Sequence, residues 1–137
     1  MSRISREFRR VVEQRARGRC EYCGLAQDGQ EATFHIDHIK PKAAGGETVA
    51  ENLALACVSC SLRKAARRDA IDPMSGEFAP LFDPRRDTWE SHFCRRGASL
   101  EGMTSIGRAT ISALDMNRAL MLAIRREERA QGRHPFR

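Results

Sequence analysis

No stretch of this 137-residue chain approaches the ~20 consecutive apolar residues of a membrane span. Nor does the arginine-rich N-terminus carry the apolar run of a signal peptide. Both absences lead to the expectation of a soluble, cytoplasmic protein with no membrane partner. Internal repeats and low-complexity linkers are lacking too, so the length reads as one domain, or one core with an appendage. A core this small is modest and gains from a staple. Lysine is scarce beside arginine, and histidine occurs only four times.

What is present is positive charge, unevenly placed. The formal charge is +6 with a pI near 9.5. Seven arginines fall between Arg3 and Arg19, and Arg63, Lys64, Arg67 and Arg68 form a second cluster. The planar guanidinium pairs bidentately with phosphate, so a polyanion such as nucleic acid is the natural partner. A merely solvated basic face is the competing reading.

The five cysteines are an odd number. Four form Cys20-x-x-Cys23 and Cys57-x-x-Cys60, which leaves Cys94 alone. Disulfides need an oxidising compartment, for which no export signal is visible. A thioredoxin-like redox pair would want a βαβ context, which is absent. Two pairs of thiolates are the set that tetrahedral zinc prefers in structural sites. The 33 residues between Cys23 and Cys57 exceed the 15–20 of an ordinary zinc ribbon, so the intervening chain must itself carry structure.

The apolar stripe Ile4, Phe8, Val11 and Val12 predicts a helix over residues 4–17, with Ser2 or Ser5 as its cap and Gly18 as its stop. Cys20–Gly24 reads as a tight knuckle. Residues 33–39 are β-like and would pair with Leu53–Ala56 across a loop punctuated by Pro41 and Gly45-Gly46. The stretch SCSLRKAARRDA predicts a helix from Ser59 to near Asp72-Pro73. DPMSGEFAPLFDPRRD reads as irregular. Beyond it, 89–95 and 98–103 suggest a hairpin, and 105–132 a helix broken near Asp115 and closed at Gly132. The Leu120–Ile124 stripe is expected to be core or interface.

"FHIDHIKPKAAGG" concentrates titratable side chains at a strand end. Strand alternation puts Asp37 on the face of His35, with His38 pointing the other way. A carboxylate suits a hard cation such as Mg²⁺, and a neutral imidazole suits activation of water. Asn52, across the loop, would pin it through its amide. With a basic helix alongside, this is equipment for metal-assisted phosphodiester hydrolysis. His92 and His134 lack such context and read as structural or surface residues.

The run "CEYC … HIDHIKPKAAGGETVAENLALACVSCSLRK" resembles the HNH endonuclease domain, the ββα-metal or His-Me finger fold, from Cys20 to Lys64. The resemblance implies that His38 is the general base, Asp37 the metal-binding acid before it, and Asn52 the residue that steadies the loop. It also implies that Cys20, Cys23, Cys57 and Cys60 hold structural zinc. One position departs: after the fourth cysteine the family usually carries His or Asn as second ligand of the catalytic metal, and here stands Ser61. Either Ser61, directly or through water, or His35 completes that site.

The expected protein is therefore α+β. A zinc-stapled ββα-metal nuclease domain spans 1–75, and a helical and hairpin extension over 76–137 packs on it. The expected activity is hydrolysis of DNA, most naturally duplex, with structural Zn²⁺ and a catalytic divalent ion (Mg²⁺, Mn²⁺ or Ni²⁺). Lys40, Arg63, Lys64, Arg67 and Arg68 would contact phosphates. A catalytically weak or inactive zinc-containing nucleic-acid-binding module is the alternative, and a purely structural zinc adaptor a third reading.

Overall fold

The computed structural model describes residues 4–133, so Ser2 and His134 lie outside the described residues. The chain divides into two compact units. The first runs to Arg68 and takes in Asp83–Arg86; the second comprises Asp69–Phe82 and the residues from Asp87 onward. No helix among the described residues is long and apolar enough to cross a membrane.

In the first unit, α1 (Arg6–Arg15) starts at Ser5, whose hydroxyl accepts from the Phe8 amide at 3.0 Å. Such a cap satisfies one of the unpaired amides of the first turn. The helix stops where Arg17 and Gly18 adopt positive φ (55° and 68°). Of the apolar stripe, Val12 is fully buried while Val11 is 45% exposed and lies outside the core. The guanidinium of Arg15 donates to the carbonyls of Ala50 and Leu53, which ties the helix end to the next layer.

That layer is an antiparallel pair, β1 (His35–His38) and β2 (Leu53–Ala56), with His35 opposite Ala56 and His38 opposite Leu53. All four residues of β2 are buried, the signature of a strand covered on both faces. Across the pair lies α2 (Val58–Lys64). The connecting loop is closed at its base by Asn52, and Gly46 is obligatory there because a Cβ would collide with the Lys40 carbonyl.

The expected continuation of α2 toward Asp72 does not form. Ala65 takes a φ of 47°, and Asp69–Ile71 becomes β3, paired antiparallel with β4 (Phe78–Pro80). Strand pairing overrides the helix propensity of KAARR, so part of the stretch read as irregular is a hairpin. Asp72 sets its turn, accepting from the Met74 amide and, bidentately, from Arg108 at 2.9 Å each.

In the second unit one helical turn, α3 (Trp89–His92), replaces the start of the expected hairpin strand. The hairpin is β5 (Phe93–Arg96) with β6 (Ser99–Gly102). Two helices follow, α4 (Ser105–Ala113) and α5 (Ala119–Ala130), with Asp115 at positive φ between them and Gly132 at φ 78° past the end. Phe82, Phe93, Leu100, Leu114, Met116 and Met121 fill this unit's core. Leu120 is 54% exposed, so Met121 is the core residue of that stripe. His92 bonds Thr104, the cap of α4.

Candidate functional site

The Cys20–Gly24 knuckle forms because the Cys20 amide bonds the Leu25 carbonyl and Gly24, at φ 85°, turns the chain back. Cys57 caps α2, its sulfur accepting from the Cys60 amide. The four sulfurs of Cys20, Cys23, Cys57 and Cys60 lie within 4.8 Å of one another, all buried. Among the described residues this is the one group of three or more His, Cys, Asp or Glu side chains able to hold a metal ion. Burial pushes the Cys20 thiol well above its ordinary range. A cation that draws off those protons resolves the crowding of four sulfurs, and a tetrahedral zinc matches the donor set. Cys94 stands in the other unit.

Glu21, inside the knuckle, accepts from Arg85 and from the Leu55 amide, so Asp83–Arg86 returns to clasp the first unit. Burial holds the Arg85 guanidinium down to about 10.

Next to this stapled base, β1 and α2 face each other. His35 Nδ1 is 2.8 Å from Ser61 Oγ, and the Lys64 ammonium is 3.2 Å from Asp37 Oδ2. Residues two apart on a strand thus meet residues three apart on a helix, each pair sharing one face. His38 turns the other way, into the loop, where its Nε2 is 2.8 Å from Thr48 Oγ1. Asn52 donates to the carbonyls of Lys40 (3.0 Å) and Glu47 (2.9 Å) and accepts from the Lys40 amide (2.8 Å). Its side chain thereby holds the loop's two ends together.

A cleft of about 520 Å³ opens over this corner, lined by Arg9, His35, Asp37, His38, Lys42 and Ser61 among others. Asp37 is 8% exposed, and burial raises its pKa, with Lys64 and the Tyr22 hydroxyl (2.8 Å) acting in opposition. His38 is shifted down, by burial first and then by Lys42, while Asp37 pulls it up. A neutral imidazole at the mouth of a cleft is a proton acceptor.

Asp37 and His35 are side chains of a kind that ligates divalent cations, although Lys64 already pairs with the Asp37 carboxylate. A carboxylate offers about four lone-pair sites, more than Tyr22 and Lys64 occupy, and His35 keeps Nε2 after bonding Ser61. The residues brought together are therefore His35, Asp37, His38 and Ser61, with Asn52 behind them.

Lys40, Arg63, Arg67 and Arg68 are exposed. Lys64 is not: it is 2% exposed, and its ammonium also contacts the carbonyls of His38 and Ile39, at 3.2 Å each. The expectation that Lys64 touches phosphate is corrected accordingly, because the side chain turns inward to an anionic nest. Sequence reading missed Tyr22, Thr48, Arg9 and Lys42. Tyr22 alone carried a signal, as the single tyrosine of the chain, set within Cys20-x-x-Cys23.

A strand pair crossed by a short helix and tied at one end by four thiols is consistent with a zinc-stapled ββα core. Residues 20–67 match the family model described as HNH endonuclease. No curated protein and no solved structure matches the chain.

Proposed function

We propose that the protein is a divalent-metal-dependent HNH endonuclease that hydrolyses DNA phosphodiester bonds. The observation that carries this reading is His38, held by Thr48 at the rim of the cleft next to Asp37, inside the HNH-matching segment. His38 takes a proton from water, and the water attacks phosphorus in line as the bond to the 3′-oxygen breaks. Asn52 fixes the loop on which the imidazole partner Thr48 sits. Lys40, Arg63, Arg67 and Arg68 draw the phosphate backbone to the site.

Asp37, with His35 or Ser61, would hold a catalytic divalent ion such as Mg²⁺, Mn²⁺ or Ni²⁺, which when bound supplies positive charge beside the leaving oxygen. Cys20, Cys23, Cys57 and Cys60 hold structural zinc. On this reading the nuclease domain is the N-terminal part, 1–75, and 76–137 is its extension.

The Asp37–Lys64 ion pair favours a second reading, since it already neutralises the main acidic ligand. In that case the protein is a zinc-containing nucleic-acid-binding module with little or no catalysis. A plasmid-nicking assay with Mg²⁺, Mn²⁺, Ni²⁺ and EDTA separates the two. Metal-dependent nicking supports the nuclease, and binding without cutting in any ion supports the module.

A further inference from the structure

Lys64 ends α2, yet it is buried as deeply as the leucines of β2. Burying an ammonium is costly unless every donor finds a strong acceptor. Lysine has three N–H donors. Here the acceptors are the Asp37 carboxylate (3.2 and 3.5 Å), the His38 carbonyl and the Ile39 carbonyl (3.2 Å each), so the inventory closes.

The two carbonyls bracket the end of β1, where the chain leaves the strand for the loop. Only four residues make that strand, and its last is His38. A short strand end frays unless something holds it. Thr48 holds the imidazole, the Asn52 carbonyl holds the Ile39 amide at 2.9 Å, and Lys64 holds the backbone oxygens on either side of that amide.

Cys57, Cys60, Ser61 and Lys64 follow the spacing i, i+3, i+4, i+7, one stripe of a helix. The thiols that staple α2 and the groups that grip β1 therefore share a face. Rotation or loss of the stapled end would carry Ser61 away from His35, and Lys64 away from Asp37 and His38.

We propose that Lys64 is a positioning residue: its buried ammonium transmits the fixed orientation of α2 to Asp37 and to the backbone that aims the His38 imidazole. It does not contact the nucleic acid. The inference rests on the nuclease reading for its consequence, though its geometry stands apart from that reading.

The test uses the full chain carrying Lys64→Ala, or Lys64→Met, which keeps the stem. Zinc content, duplex affinity against salt, single-turnover cleavage and the ¹⁵N shifts of the His38 ring are measured for each. Expected are one zinc per chain, an unchanged salt slope, cleavage at least tenfold slower and displaced His38 ring shifts. In Lys64→Ala, ethylammonium chloride should restore both the ring shifts and part of the rate, and sodium chloride at equal concentration should not. A purely packing role would give no such rescue.

If the wild type cleaves and both variants cleave as fast, the inference is overturned while the nuclease reading stands. If the wild type does not cleave but the ring shifts move and recover with ethylammonium, the nuclease reading fails and the positioning role holds. A salt slope lower by about one unit would make Lys64 a phosphate contact and overturn the inference. Loss of zinc or of fold in both variants would make it a structural counter-ion and overturn it as well.

Discussion

The Nδ1 atom of His35 and the hydroxyl of Ser61 lie 2.8 Å apart, one on the first strand and one on the helix crossing it. The two candidates for second ligand of a divalent ion are thus partners. An Nδ1–H that donates to Ser61 leaves Nε2 as the acceptor, the arrangement in which a hydroxyl orients a ligating imidazole. His35→Ala should then weaken divalent-ion binding more than Ser61→Ala does. Calorimetric titration with Mn²⁺, alongside cleavage against metal concentration, gives the comparison. The reverse order would make Ser61 the ligand. With so few protein ligands, activity should also be higher in Mn²⁺ or Ni²⁺ than in Mg²⁺.

Zinc should be a folding element of the first unit. Native mass spectrometry is expected to find one zinc per chain. Cys57→Ser should unfold the unit and not merely slow it, because a structural zinc site contributes folding free energy outright. A fully folded, metal-free protein would sink this claim.

Binding to duplex DNA should weaken steeply with salt. Each phosphate contact contributes ~0.9 to the slope of log affinity against log salt. Removing Arg63, Arg67 or Arg68 should lower that slope by up to about one unit each. A flat salt response in the wild type would mean that the basic face is simply solvated.

Acid should loosen the second unit through Asp72. Hydrogen bonds from Arg108 hold this carboxyl, 0% exposed, well below the usual carboxylate range. The folded pKa is depressed, so its stabilising contribution is complete above the unfolded value near 4 and is lost as pH falls through the folded one. Asp72→Asn should lower the unfolding temperature at pH 7, and the difference from wild type should narrow below about pH 4. A gap that stays constant down to pH 2 would contradict the assignment.

The sequence made the strand pair, the clustered cysteine knuckle and the break at Asp115 legible, each through local chemistry: cysteine spacing, apolar runs, turn residues. It did not show where α2 ends. Helix formers continue past Lys64, but the pairing of Asp69–Ile71 with Phe78–Pro80 is a tertiary choice. The site divided the same way. Strand alternation foretold that His35 and Asp37 share a face and His38 opposes them. That Lys64 folds inward was missed because its charge grouped it with the neighbouring arginines, although its spacing from Cys57 and Cys60 sets it on the stapled face of α2. Thr48 was hidden for another reason, since only the closed loop brings its hydroxyl to the imidazole.

Single-turnover cleavage of a duplex by His38→Ala is the most direct test of the central claim, that this imidazole activates water for phosphodiester hydrolysis. The general-base role predicts a loss of ~10²–10⁴ in rate, with duplex affinity and zinc content unchanged. Equal losses in affinity and rate, or a variant that cuts as fast as the wild type, would contradict it.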